Sequence, residues 1–141
     1  MRTINWGRVL LGGLLAGIVV NVFEYVTNAV VLASDWNAVM QNVGRQMPNS
    51  AVVIFVLMGF LVGITAVWLY AAARPRYGTG PRTAVLVGFA YWIIGYALPN
   101  LGLVSTGLFP RRLLAIVTIV GLVEIVAAMI VGAWFYTEAQ H

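Results

Sequence analysis

The sequence predicts an all-α fold: a four-helix transmembrane bundle with a short interfacial amphipathic helix between spans 1 and 2. Three observations carry that prediction. Of 141 residues, 62% are hydrophobic and only 9% charged, with a mean hydropathy of +0.94, whereas an average soluble domain carries roughly 25% charged residues. Four apolar stretches, 9–32, 51–73, 83–98 and 113–137, approach or meet the ~20 residues that a helix needs to cross the hydrocarbon core. Charge is almost confined to their ends: the second and third stretches hold none, and the first and fourth hold one each, Glu24 and Glu124. A chain of this length reads as one integral membrane domain, 1–141, filled by helix packing rather than by a water-excluded core.

The first stretch follows Arg2 and Arg8, and Val31-Leu32-Ala33 would pass as a signal-peptide cleavage site. Asn21, Glu24 and Asn28 within it, and a length beyond the 7–15 residues of a signal core, favour a retained first span. In segment 34–50, Trp36, Val39, Met40 and Val43 recur at i, i+3, i+4 and i+7 among Asp35, Asn37, Gln41, Asn42 and Arg45. That spacing predicts the interfacial helix, with Ser34 or Asp35 as its cap and Pro48 beyond its end. The competing reading is a polar loop with a single Trp anchor.

The second span carries Gly59 and Gly63 as Gly-x-x-x-Gly, with Ala66 and Tyr70 on the same side, and the first repeats the spacing at Gly13 and Gly17. Such pairs mark close helix approach, within one chain or between two. The third span is the shortest, and the apolar residues after Pro99 are available to extend it. Connection 99–110, with Gly102 and Gly107, reads as a loop on the membrane surface, with a re-entrant segment as the alternative. Trp6, Trp68, Trp92 and Trp134, with Tyr70, Tyr77 and Tyr136, fall near span ends and read as interfacial anchors rather than a ligand cage. The run Arg74-Pro75-Arg76-Tyr77-Gly78-Thr79-Gly80-Pro81-Arg82 matches no phosphate-loop spacing and reads as a basic turn.

The net charge of +4 comes from eight Arg and no Lys, and on a membrane chain it records topology. The N terminus and the 2–3 loop hold five Arg (Arg2, Arg8, Arg74, Arg76, Arg82), against three (Arg45, Arg111, Arg112) in the other two loops. The positive-inside bias therefore predicts both termini in the cytoplasm, with a bacterial inner membrane as the expected setting. No basic face is clustered enough to expect nucleic acid as a partner. There is no Cys, and the only His is His141. Thiol catalysis, iron-sulfur clusters and His-ligated haem or zinc thus lose their usual ligands, so no cofactor, no metal and no enzymatic activity are expected.

On the first span Asn21, Glu24, Tyr25 and Asn28 recur at i, i+3, i+4 and i+7, a polar stripe that must face protein or water. On the fourth, Glu124 shares a face with Val117, Gly121 and Ala128, so its partners must come from another helix. The helical rise puts Glu24 about 14 Å from the end of its span at Ala33, and Glu124 about 18 Å from Arg112. Tyr91 and Tyr96 of the third span fall in the same half and can offer hydroxyl donors. No Lys or Arg lies inside any span to neutralise the carboxyls, so the expected state is a protonated carboxylic acid or a proton shared by the pair. Such a cluster suits proton or cation binding, or simply fastens helices together.

The opening Ile4-Asn5-Trp6, a first span running into a polar-aromatic end, and Asp35-Trp36 heading the amphipathic segment resemble a group of small, uncharacterised four-span bacterial membrane proteins. The likeness covers roughly the first 45 residues and implies the four-helix fold, with no activity to carry over. Small multidrug-resistance transporters are similar in span count, size and a first-span Glu. Their sequence motifs are missing here, and Glu124 and the long 1–2 segment depart from them, so the likeness is one of architecture.

Two functions follow as expectations. One is a structural or accessory membrane component whose glutamates hold the bundle, with the lipid bilayer, a second copy of the chain and another membrane protein as partners. The other is a proton-linked transporter or ion pathway through Glu24 and Glu124. A homodimer is expected because a four-helix unit has little interior and two Gly-x-x-x-Gly faces are not easily used within it. Reporter fusions at Glu138 and within 34–50 are expected to report opposite sides of the membrane, the former cytoplasmic; the reverse pattern would contradict the assigned orientation.

Overall fold

Lipid offers the backbone no hydrogen-bonding partner, so a chain this apolar satisfies its amides within helices. The computed structural model describes residues 3–138, and these are helical with no strand among them. Arg2 and His141 lie outside the described residues. Helix α1 (Trp6–Glu24) starts where the Asn5 side chain accepts the Arg8 amide. After Glu24 the backbone widens into a π-helical segment, Tyr25–Val31, and Leu32 turns it into the short α2 (Ala33–Asn42). Next come α3 (Ser50–Tyr77), α4 (Pro81–Trp92), a second π-helical segment (Ile93–Ala97), α5 (Leu98–Thr106) and α6 (Arg111–Phe135).

Four helical stretches are long and apolar enough to cross a membrane: Trp6–Val31, Ser50–Tyr77, Pro81–Thr106 and Arg111–Phe135. The start of α1, the end of α6 and the turn between α3 and α4 lie at one end of the bundle, here the terminal end. The α2 segment and the turn from α5 to α6 lie at the other, the loop end. The first span sits against α3 and α6, and α4 sits against α6. Tight packing concentrates in the terminal half, where Val9, Ala16 and Val20 meet Val67, Ala71, Ala84, Ile125 and Met129.

Glycine sets the closest of these contacts. A methyl group on Gly13 would lie 2.5 Å from the Ile64 Cα, and one on Gly17 would lie 2.9 Å from the Phe60 Cα. One on Gly63 would run into the backbone of Gly13 and Gly17. The two Gly-x-x-x-Gly faces therefore pack on each other inside a single chain, and the homodimer expected from their supposed incompatibility loses that basis. A third close approach was not visible as a motif: a methyl on Gly12 would sit 2.7 Å from the Gly132 carbonyl oxygen, joining α1 to α6.

Three further expectations change. The third span does not end at residue 98, because α5 carries the helix through Pro99 to Thr106. Pro99 lacks an amide hydrogen and crowds the carbonyl one turn back, and the π-helical turn Ile93–Ala97 immediately before it widens the helix at that point. Second, α2 forms, but Ser34 and Asp35 sit inside its first turn and the cap position is Leu32, without a side-chain cap. Third, the 99–110 connection is mostly helix; only 107–110 turn, at Gly107 with φ +69°.

Because the Gly63 methyl would meet backbone rather than a flexible side chain, Gly63→Ala is expected to destabilise by the ~1–3 kcal/mol typical of overpacking. Gly102→Ala, where a methyl meets open space, is expected to be neutral or stabilising by up to about 1 kcal/mol through helix propensity. Thermal melting in detergent reads both, and equal midpoints for the two variants would contradict the packing described.

Candidate functional site

Glu24 is the last residue of α1, and the backbone changes its helical pitch at the next residue. Asn28, inside the π-helical segment, reaches back one turn and donates through Nδ2 to the Glu24 Oε2 at 2.8 Å and to the Glu24 carbonyl at 3.2 Å. The Asn28 Oδ1 in turn accepts the indole N–H of Trp36 from α2 at 2.9 Å. One amide thus links the first-span carboxyl to the helix lying at the loop end.

Glu124 comes from the middle of α6, which packs against α1, and is 1% exposed. Its Oε1 accepts the Tyr96 hydroxyl at 2.7 Å. Tyr96 reaches it because Gly121, one turn earlier on α6, has no side chain: a Cβ there would lie 2.6 Å from the ring Cε1. Tyr96 itself belongs to the second π-helical segment. The Glu24 and Glu124 carboxyls lie within hydrogen-bonding reach of each other. Ionised carboxylates only accept, so a hydrogen bond between them requires a proton on one. The site therefore joins three spans, with a π-helical turn in two of them.

Of the residues expected here, Glu24, Glu124, Asn28 and Tyr96 come together. Asn21 does not: it lies over Gly59 and donates to the Val56 carbonyl at 3.2 Å, tying α1 to α3. Tyr25 does not join the pair either: its amide still bonds the Asn21 carbonyl in α-helical register, and at 66% exposure its side chain lines the same groove between α1 and α3 as Asn21. Tyr91 rests its ring on Gly95 and against the core, outside the hydrogen bonds of the pair. A groove of about 300 Å³ lies between α1 and α3, lined by Ile18, Asn21, Tyr25, Val56 and Phe60 rather than by either glutamate.

Sequence reasoning missed two further nodes, one beside the site and one at the terminal end. Trp92, read as an interfacial anchor, donates its indole N–H to the Thr118 carbonyl at 2.8 Å, and Asn100 donates to the Thr118 hydroxyl at 2.8 Å. The signal was present, since Trp92, Tyr96 and Asn100 recur every four residues, but a span ended at residue 98 hid the third member. At the terminal end α3 continues through Pro75, which brings Arg74 into the helix. Its guanidinium lies 5.8 Å from the Tyr70 ring and 5.1 Å from the Tyr136 ring, with Glu138 at 4.0 Å. Tyr70 and Tyr136, read as interfacial, are instead buried around it.

Among the described residues no three His, Cys, Asp or Glu side chains are grouped to hold a metal ion. Comparison with protein-family models, with curated proteins and with solved structures finds no match to this chain. The chemistry of the site is accordingly read from its geometry: two carboxyls, a phenol and an amide that satisfy one another between helices.

Proposed function

We propose that this chain is a structural or accessory, non-enzymatic component of a membrane, in which the Glu24–Glu124 contact with Tyr96 and Asn28 fastens the first, third and fourth spans. The observation that carries this reading is the mutual satisfaction of the cluster: each carboxyl accepts a donor from a second residue and meets the other carboxyl. In lipid such groups have no alternative partner, and interhelical hydrogen bonds there contribute ~0.6 kcal/mol on average and up to about 2. An accessory role implies another membrane protein as partner. The likeness of the first 45 residues to small four-span bacterial proteins supports a bacterial inner membrane as the setting, and the Arg distribution supports cytoplasmic termini.

A second reading, proton-linked transport, is favoured by one specific feature: two carboxyls in contact between spans, with the nearest intrachain basic residues confined to the span ends. A proton held between them is exchangeable in principle for another cation.

Glu24→Gln and Glu24→Leu separate the two. For a fastening role, Gln keeps the shape and the hydrogen bonding and is expected to be nearly silent. Leu strands Asn28 and Glu124 and is expected to cost about 1–3 kcal/mol for each unsatisfied group. For proton exchange, Gln abolishes proton release on solute addition while the fold persists. Melting curves and proton release, measured on both variants, decide; a stable Leu variant would remove the fastening role.

A further inference from the structure

The α2 helix makes few and exposed contacts for an element that closes one end of the site. None of its residues is buried. It is held by the Trp36 indole on Asn28 at 2.9 Å, by an edge-on contact of Trp36 with Phe109 at 6.4 Å between ring centres, and by the Asp35–Arg112 ion pair at 2.9 Å. The Arg112 side chain is 68% exposed, and solvent-exposed ion pairs are weak restraints. Both connections of α2 can yield. On one side lies the π-helical segment Tyr25–Val31, an irregular, wider turn of a kind frequent at functional sites. On the other lies Gly44 with φ +66°, followed by exposed residues to 49.

The position of α2 matters because of what lies beneath it. Trp36 bonds Asn28, and Asn28 bonds Glu24, which meets Glu124. Lifting α2 breaks the outermost link of that chain and uncovers the amide that holds the first-span carboxyl. A helix that only marked the membrane surface would need no specific bond to this amide.

We propose that α2 is a hinged cover over the Glu24–Glu124 pair, and that its release admits water and small cations to the carboxyls from the loop end of the bundle. The cover stands apart from the fastening role, since carboxyls that hold the bundle can be either sealed or reachable. The clamp is Asp35–Arg112, the hinge is the π-helical segment, and Trp36 couples the two to the site.

The test uses the absence of native Cys. In lipid nanodiscs, a water-soluble carbodiimide with a nucleophilic amine labels reachable carboxyls, and mass spectrometry reads Glu24 and Glu124 separately from Asp35 and Glu138. Arg112→Gln is expected to speed labelling of Glu24 several-fold by releasing the cover. In a second protein, Asp35→Cys with Arg112→Cys is joined by a short bifunctional thiosulfonate. Labelling is then expected to fall below that of the unmodified chain and to recover on reduction. The linked and reduced forms share one sequence, so a folding defect cannot mimic the difference. Equal Glu24 labelling in the linked and reduced forms would overturn the proposal, whatever Glu24→Gln does to stability.

Discussion

A carboxyl group between lipid-embedded helices must find its hydrogen-bonding partners within the protein, because the hydrocarbon supplies none and an unpaired polar group there is costly. This chain places one carboxyl on the first span and one on the fourth, with no basic side chain between them, and the arrangement of the loop half follows from pairing them. Tyr96 must descend from the third span to Glu124, Asn28 must turn back to Glu24, and the two carboxyls must meet. Each requirement brings a different helix to one point.

Close approach makes the meeting possible. Gly13, Gly17 and Gly63 bring α1 against α3, and Gly12 and Gly132 bring α1 against α6, so the base of the bundle is tight while its loop half is more open. Gly121 then clears the path for the Tyr96 ring. The π-helical turns fall at the site rather than elsewhere: one begins after Glu24 and the other contains Tyr96. Asn28, inside the first of these turns, bonds both the Glu24 carboxyl and its carbonyl, while Tyr25 points outward. Such interruptions are frequent at functional sites in helices, and two of them flanking one polar cluster agree with that pattern.

Much of this was legible in the sequence. Four spans, the amphipathic α2, the glycine pairs and the similar depth of Glu24 and Glu124 all follow from hydropathy, spacing and helical rise. The site was legible only in part, because one polar stripe on a helix is wide enough to face two different neighbours, and spacing does not say which residue faces which. Asn21 and Tyr25 share the Glu24 stripe by spacing, yet both face the groove between α1 and α3, where the Val56 carbonyl claims Asn21. Pro99 suggested a span end that the widened turn before it overrides. Arg74, Trp92 and Trp36 looked like surface residues because composition cannot show which boundary side chains turn inward.

Glu24 of α1 and Glu124 of α6 are held to contact each other, and a double-mutant cycle tests this most directly. Thermodynamic stability is measured for the unmodified chain, Glu24→Leu, Glu124→Leu and the double variant in the same detergent or lipid. Residues in contact couple by roughly 0.5–3 kcal/mol, while distant ones add within about 0.3–0.5 kcal/mol. The double variant is expected to lose at least about 1 kcal/mol less than the sum of the two single losses, a coupling within the range for contacting groups. Strict additivity would place the two carboxyls apart and contradict the contact.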